Sequence, residues 1–156
     1  MGLPRPALVD LGTYLAADRI LTLPAGTTKD EALRQLSAAC ASHPAITDTE
    51  AFTKAIFERE RVSSTGIGNG IAVPHAKLRS ITDFVITVGL SEPGVEFAAK
   101  DGEPVHILVM IAASEQQREA YLRVLATVAS VLKRDEVRAA LRAATSPADA
   151  LAALTS

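Results

Sequence analysis

Arg59-Glu60-Arg61-Val62-Ser63-Ser64-Thr65-Gly66-Ile67-Gly68-Asn69-Gly70-Ile71-Ala72-Val73-Pro74-His75 is the stretch from which this chain is read. Its first residues close a helix whose inward positions run Phe52, Ala55, Ile56 and, at the same spacing, Arg59. A run of hydroxyls and glycines follows, and then a short apolar strand over 70–74. Pro74 biases Val73 to an extended backbone and donates nothing to a ladder, so pairing is expected to end there. Strand alternation puts Ile71, Val73 and His75 on one side, with the imidazole at the lip of an apolar surface.

Upstream, Thr47-Asp48-Thr49-Glu50 reads as the capping box that starts this helix. An earlier box, Thr28-Lys29-Asp30-Glu31, starts a helix with Ala32, Leu33, Leu36, Ala39 and Cys40 on one face, ending near His43-Pro44. Before it lie a strand over 19–23 and a short helix over 10–17; residues 1–9, with Pro4 and Pro6, read as a loose arm. Downstream, 81–90 and 105–112 are close to continuously apolar, as strands covered on both faces by helices are. Glu92-Pro93-Gly94 supplies a turn between them, after which 95–97 pair briefly. A third box, Ser114-Glu115-Gln116-Gln117, opens the longest helix, to about residue 133, with Tyr121, Leu125, Val128 and Leu132 as its stripe. Asp135 caps a further helix, and Ser146-Pro147 starts the last. Helices on either side of one strand cluster describe a three-layer α/β domain spanning 10–156.

Composition narrows the function. The 156 residues are 48% apolar and 22% charged, an ordinary globular balance, and a net charge of −2 with scattered basic residues argues against nucleic-acid binding. No apolar run approaches the ~20 residues of a membrane helix. One cysteine, Cys40, and no secretory signal fit a reducing cytoplasm. Gly66-Ile67-Gly68-Asn69-Gly70 follows a helix rather than a strand and lacks dinucleotide spacing; no Walker lysine occurs. His43, His75 and His106 lack metal-ligand spacing. No cofactor or metal is expected.

What the stretch does supply is a nucleophilic nitrogen beside groups that bind anions. Phosphoryl transfer asks mainly for alignment and for stabilisation of charge on the equatorial oxygens. Arg59 offers a planar fork for such oxygens. Amides around Gly66, Gly68 and Gly70, with the hydroxyls of Ser63, Ser64 and Thr65, are candidate donors. Attack needs a neutral imidazole with a free lone pair, and a hydrogen bond to its other nitrogen selects the tautomer. Each part also has an ordinary reading. Glycines before a strand serve turns with positive φ, an arginine at a helix end caps it, and a loop histidine is commonly a surface residue.

From Ser64 to His75 the chain closely resembles the enzyme IIA domains of the bacterial phosphoenolpyruvate:sugar phosphotransferase system, fructose/mannitol type, which include the nitrogen-branch regulators. Arg59-Glu60 stands at the family's distance upstream. The resemblance implies an α/β fold with a mixed sheet, here of about five strands, between helices. It implies His75 as phosphoryl acceptor, with Arg59 beside it and Ser64, Thr65, Gly66 and Gly68 around the phosphate. The donor would be HPr or its nitrogen-branch relative, and the recipient an enzyme IIB domain or a regulated kinase or transporter. One position departs from the pattern. Where family members often carry a second histidine in His-Leu-x-x-Leu, this chain reads Tyr121-Leu122-Arg123-Val124-Leu125. Tyr121 can donate a hydrogen bond to a phosphoryl oxygen but supplies no cation near neutral pH. The leading expectation is therefore a cytoplasmic, nitrogen-type phosphocarrier and regulator. The others are a sugar-permease IIA subunit and an unphosphorylated partner-binding module.

Overall fold

Leu8 to Thr155 are the residues described by the computed structural model, so most of the expected arm lies outside them. Its end does not hang free: Val9 donates its amide to the Thr127 hydroxyl at 2.9 Å. The helix expected over 10–17 is instead a 3-10 turn, Leu11–Thr13, capped by Asp10, and a second such turn, Ala17–Arg19.

Two helices cover one face of the sheet, α1 (Lys29–Ala41) and α2 (Thr49–Val62). Both start on side-chain caps, although not as full capping boxes. Thr28 accepts from the Glu31 amide as expected, but the Glu31 carboxylate takes the Thr28 hydroxyl instead of a backbone amide. For α2 the cap is Asp48, one residue later than the Thr47 of the expected box, and it accepts from the Ala51 amide at 3.0 Å. Leu33, Leu36, Cys40, Phe52 and Ile56 are buried here. Cys40 is a packing residue, its thiol pushed up to about 11 by burial. Emptying the Phe52 site by truncation to Ala would cost about 3–5 kcal/mol.

The sheet between the layers has six strands and is mixed. β1 (Ile20–Thr22) runs parallel to β5 (Val85–Val95), which pairs antiparallel with β6 (Val105–Ser114). On its other side β6 pairs in parallel with β3 (Ile71–Ala72) and β4 (His75–Leu78), and β3 pairs with β2 (Gly66–Gly68). The strand count exceeds the expected five for two reasons. The glycine run is itself a strand, closed onto β3 through Asn69 (φ 57°) and Gly70 (φ 75°). Asn-Gly with both residues at positive φ is the strongest short hairpin signal, and it explains the turn. The second reason is Pro74. Pairing does not end there but skips and resumes: Ile71 opposes Ile107, and His75 opposes Ile111 in the same register. Pro74 donates no hydrogen bond, but its carbonyl accepts from the Ile111 amide at 2.9 Å.

The opposite face is covered by α3 (Arg118–Leu132), α4 (Asp135–Ala143) and α5 (Pro147–Thr155), which completes the three layers. Strand alternation divides the two cores: Leu108, Met110 and Ala112 face α1 and α2, whereas Ile107, Val109, Ile111 and Ala113 face α3 to α5. Two expected starts differ. Ser114 belongs to the end of β6, so α3 begins after Gln117 without a side-chain cap, and Asp135 lies inside the first turn of α4. Ser146 does cap α5, accepting from the Asp149 amide at 3.1 Å.

Candidate functional site

His75 opens β4 at the point where Pro74 breaks the ladder, on the α3 side of the sheet with Ile71 and Val73. Its Nδ1 lies 2.8 Å from the Val73 carbonyl oxygen. A carbonyl only accepts, so Nδ1 carries the hydrogen and Nε2 holds the lone pair. The ring is half-buried and lines a cleft of about 280 Å³ with Arg59, Ser63, Ser64, Thr65, Lys100 and Leu125 among its walls.

The stripe of α2 continues inward from Phe52 and Ile56 to Glu60. Arg59 therefore stands on the flank of that stripe rather than on it, and this turns it toward the cleft. One of its amino groups donates to the Ser63 carbonyl at 2.9 Å, so it also serves the helix end, the ordinary reading of an arginine there. Among the described residues no carboxylate is ion-paired with it. The guanidinium has five N–H donors, and most remain for an anion.

The long helix repeats this geometry. Its buried residues are Val124, Thr127, Val128 and Leu132, so the expected stripe is rotated and Tyr121 and Leu125 stand on its flank. Tyr121 is half-buried, its ring centroid 6.3 Å from that of His75, and Lys77 Nζ lies 5.3 Å from the Tyr121 ring. Burial raises the Tyr121 hydroxyl above the ordinary tyrosine range, against the opposing pull of the Arg59 guanidinium. It stays a donor through neutral pH.

The loop expected to cradle phosphate has different work. Thr65 donates its amide and its hydroxyl to the Glu60 carboxylate, both at 2.8 Å. Ser64 donates to the Phe97 carbonyl at 3.3 Å and accepts from the Gly66 amide at 3.1 Å. Gly66 is glycine because of close approach: a Cβ there would lie 2.7 Å from that of Ala99. Gly68 and Gly70 belong to the hairpin, near Asp101 and His106, and none of the three glycines lines the cleft. The donors expected of Thr65 and Gly66 are thus engaged inside the protein. Sequence reading missed Glu60, Ile67 and Lys100. The four-residue step from Phe52 through Ile56 would have found Glu60, whereas Lys100 arrives from a distant loop with no local signal.

His106 and His43 stand away from the cleft, and among the described residues no three His, Cys, Asp or Glu side chains converge to hold a metal ion. No described helix is long and apolar enough to cross a membrane.

Residues 13–156 match the family model described as phosphoenolpyruvate-dependent sugar phosphotransferase system, EIIA 2. The chain is 33% identical to a nitrogen regulatory protein of Pseudomonas aeruginosa over 88% of its own length and 89% of that protein's. It is 43% identical over 93 residues to the fructose-specific EIIABC component of Bacillus subtilis, spanning only 15% of that longer protein. Among solved structures, the fold superposes on nitrogen regulatory protein IIA-Ntr from Neisseria meningitidis with a TM-score of 0.85 at 23% identity, covering 93% of this chain and 99% of that one. It also superposes on enzyme IIA mannitol of Escherichia coli, solved in complex with phosphorylated enzyme IIB mannitol, with a TM-score of 0.75 at 22% identity and coverage of 90% and 96%.

Proposed function

We propose, from the premise that this chain belongs to the phosphoenolpyruvate-dependent sugar phosphotransferase system EIIA 2 family, that it is a cytoplasmic phosphocarrier accepting a phosphoryl group on His75 Nε2. The observation that carries this reading is the Nδ1 hydrogen bond to Val73, which leaves Nε2 with its lone pair at a cleft lined by a guanidinium that is in no ion pair among the described residues and gives one hydrogen bond to Ser63. As Nε2 approaches, the bond from phosphorus to the donor breaks while the Nε2–phosphorus bond forms. Arg59, and from the other flank the Tyr121 hydroxyl, take the equatorial oxygens; Lys100 adds positive potential at the rim. The donor is HPr or its nitrogen-branch relative. Ile67, 53% exposed in the cleft wall, with Val62 and Leu122, 82% and 59% exposed on α2 and α3, forms the apolar part of its landing surface.

Tyr121 in place of a second histidine supports a nitrogen-type regulator, in which the charge of roughly −2 gained on phosphorylation switches partner binding. Its downstream partner would be a regulated kinase or transporter. The identity to a fructose-specific component supports a second reading, the IIA subunit of a sugar permease passing the group to IIB.

Incubation with phosphoenolpyruvate, enzyme I and HPr tests the carrier role. An acid-labile phosphate on wild type, lost in His75→Ala, is expected, and its absence from wild type alongside a working control overturns it. Adding a fructose-type IIB domain separates the readings: prompt transfer favours the permease subunit, retention the regulator.

A further inference from the structure

Glu60, a buried carboxylate fifteen residues upstream of the imidazole, is ion-paired with a partly exposed lysine and is joined to His75 by hydrogen bonds that pass through the backbone of Thr65 and Val73. Lys29 Nζ, in the first turn of α1, lies 3.1 Å from Glu60 Oε1. Glu60 is 7% exposed and receives both donors of Thr65 at 2.8 Å, and Thr65 is itself only 4% exposed. The Thr65 carbonyl accepts from the Val73 amide at 3.0 Å. The Val73 carbonyl then accepts from His75 Nδ1 at 2.8 Å. Lys29 is held at its own end by the face of Phe97, 4.4 Å from the ring centroid, and the Phe97 carbonyl takes the Ser64 hydroxyl.

From this we infer that Glu60, neutralised by Lys29, is the positioning residue of the phosphoryl site. Val73 lies between the hairpin partner Thr65 and the imidazole: its carbonyl, which selects the tautomer, belongs to the peptide unit shared with Pro74, and the residue is held one unit earlier, through its amide. That amide is fixed in turn by Thr65, whose remaining two polar groups are anchored on Glu60. The same carboxylate follows Arg59 in α2, so burying Glu60 sets the rotation that turns Arg59 toward the cleft.

Lys29 has a second task. A buried carboxylate beside an anion site repels the arriving phosphoryl group unless it is balanced, and the ammonium at 3.1 Å balances it. The pair is thus neutral toward the substrate while its geometry is rigid. A hydrophobic pair of similar volume would keep the packing but not the register of Thr65.

This inference rests on His75 being the phosphoryl acceptor, and it is tested on the full chain by two independent readouts. The first is the tautomer of His75 in unphosphorylated protein, by long-range nitrogen–proton NMR on labelled imidazole. The second is transfer from phospho-HPr, with the maximal rate separated from the half-saturating donor concentration. Wild type is expected to show one Nδ1–H form. Glu60→Gln keeps one acceptor but faces Lys29 with an uncharged amide, and is expected to mix tautomers. Its maximal rate should fall on the order of tenfold at unchanged half-saturation, because the landing surface is untouched. Lys29→Met should slow transfer by a similar factor, and the double variant Lys29→Met/Glu60→Gln should recover part of that loss, since no unbalanced charge remains. Glu60→Gln with wild-type rate and a single Nδ1–H form overturns the assignment, as does a double variant no faster than Lys29→Met alone. Should Glu60→Gln not fold, Thr65→Val removes one hydrogen bond within the same shape, and an unchanged tautomer and rate there overturns it equally. A wild type that takes no phosphate would defeat the carrier reading, while the tautomer comparison would still judge the relay.

Discussion

His75 and His106 stand on neighbouring strands of one sheet and are bonded alike, yet only one is the acceptor proposed above. Each gives Nδ1 to backbone carbonyls: His75 to Val73, and His106 to Ser91 and Glu92 at 3.0 and 3.1 Å. A defined tautomer therefore does not make an acceptor. The surroundings differ. His75 opens to a cleft with Arg59 and Lys100 on its walls. The His106 ring is packed against the turn at Gly94, where an added Cβ would lie 3.1 Å from Cε1, and shares its cavity with Glu92 as well as Arg142. Under the proposed function the cleft beside His75 makes that imidazole the acceptor, while the close packing of His106 against Gly94 gives it a structural role.

The sharpest way to break that comparison is to delete each ring. His75→Ala should abolish acid-labile phosphate, and His106→Ala should leave its amount and rate unchanged; label on His106 alone would invert the assignment. Removing the cation comes next. Arg59→Ala is expected to lower the maximal transfer rate about 100-fold, the usual cost of losing one preorganised donor to developing charge. Arg59→Lys should recover only part of this, because a point charge cannot meet two oxygens as a fork does. Rapid-quench measurement of single-turnover transfer decides both.

Much of this was legible before any coordinates. The apolar runs at 81–90 and 105–112 and the cap at Ser146 marked the layers and the start of α5, because each is a local statement about backbone donors or burial, whereas the end of pairing expected at Pro74 proved only a gap. The alternation of Ile71, Val73 and His75 placed the imidazole on the correct face. What misled was treating Arg59 and Tyr121 as members of the buried stripes. In both helices the stripe passes one or more positions away, through Glu60 and Val124, and the site residues occupy the flank. A stripe extrapolated to its last turn cannot distinguish an inward position from a flanking one. Nor does a glycine run announce whether its amides are free: Gly66 and Thr65 spend theirs on Ser64 and Glu60, contacts that depend on packing elsewhere.

A smaller effect attaches to Tyr121. Tyr121→Phe keeps the ring against His75 and Lys77 and removes one hydrogen bond to a charged group, so transfer should slow about tenfold. Since burial holds the hydroxyl above the ordinary tyrosine range, its proton is retained as pH rises from 7 to 9, and the ratio of wild type to Tyr121→Phe should stay flat there. The linked stability runs the same way. The folded chain keeps a proton that the unfolded chain releases near pH 10, so the contribution is intact below that value and lost above it. A ratio that falls already between pH 7 and 8, or denaturation curves of the two proteins that run parallel above pH 10, would remove Tyr121 from the site.

The least costly change separates chemistry from landing. Ile67 and Leu122 are exposed apolar side chains, one in the hairpin wall of the cleft and one on α3 next in sequence to Tyr121. Neither has a place in the transfer step, so Ile67→Ser and Leu122→Ser should raise the half-saturating concentration of phospho-HPr by about two- to threefold each and leave the maximal rate alone. The size follows from losing part of a side chain's apolar contact, of order half a kilocalorie per mole. Their effects should multiply in the double variant, since the two positions lie on separate elements, the hairpin and α3. The same substitutions leave the surroundings of His106 untouched, so a change in its ring shifts on adding carrier would mean that the landing surface extends to the second imidazole as well.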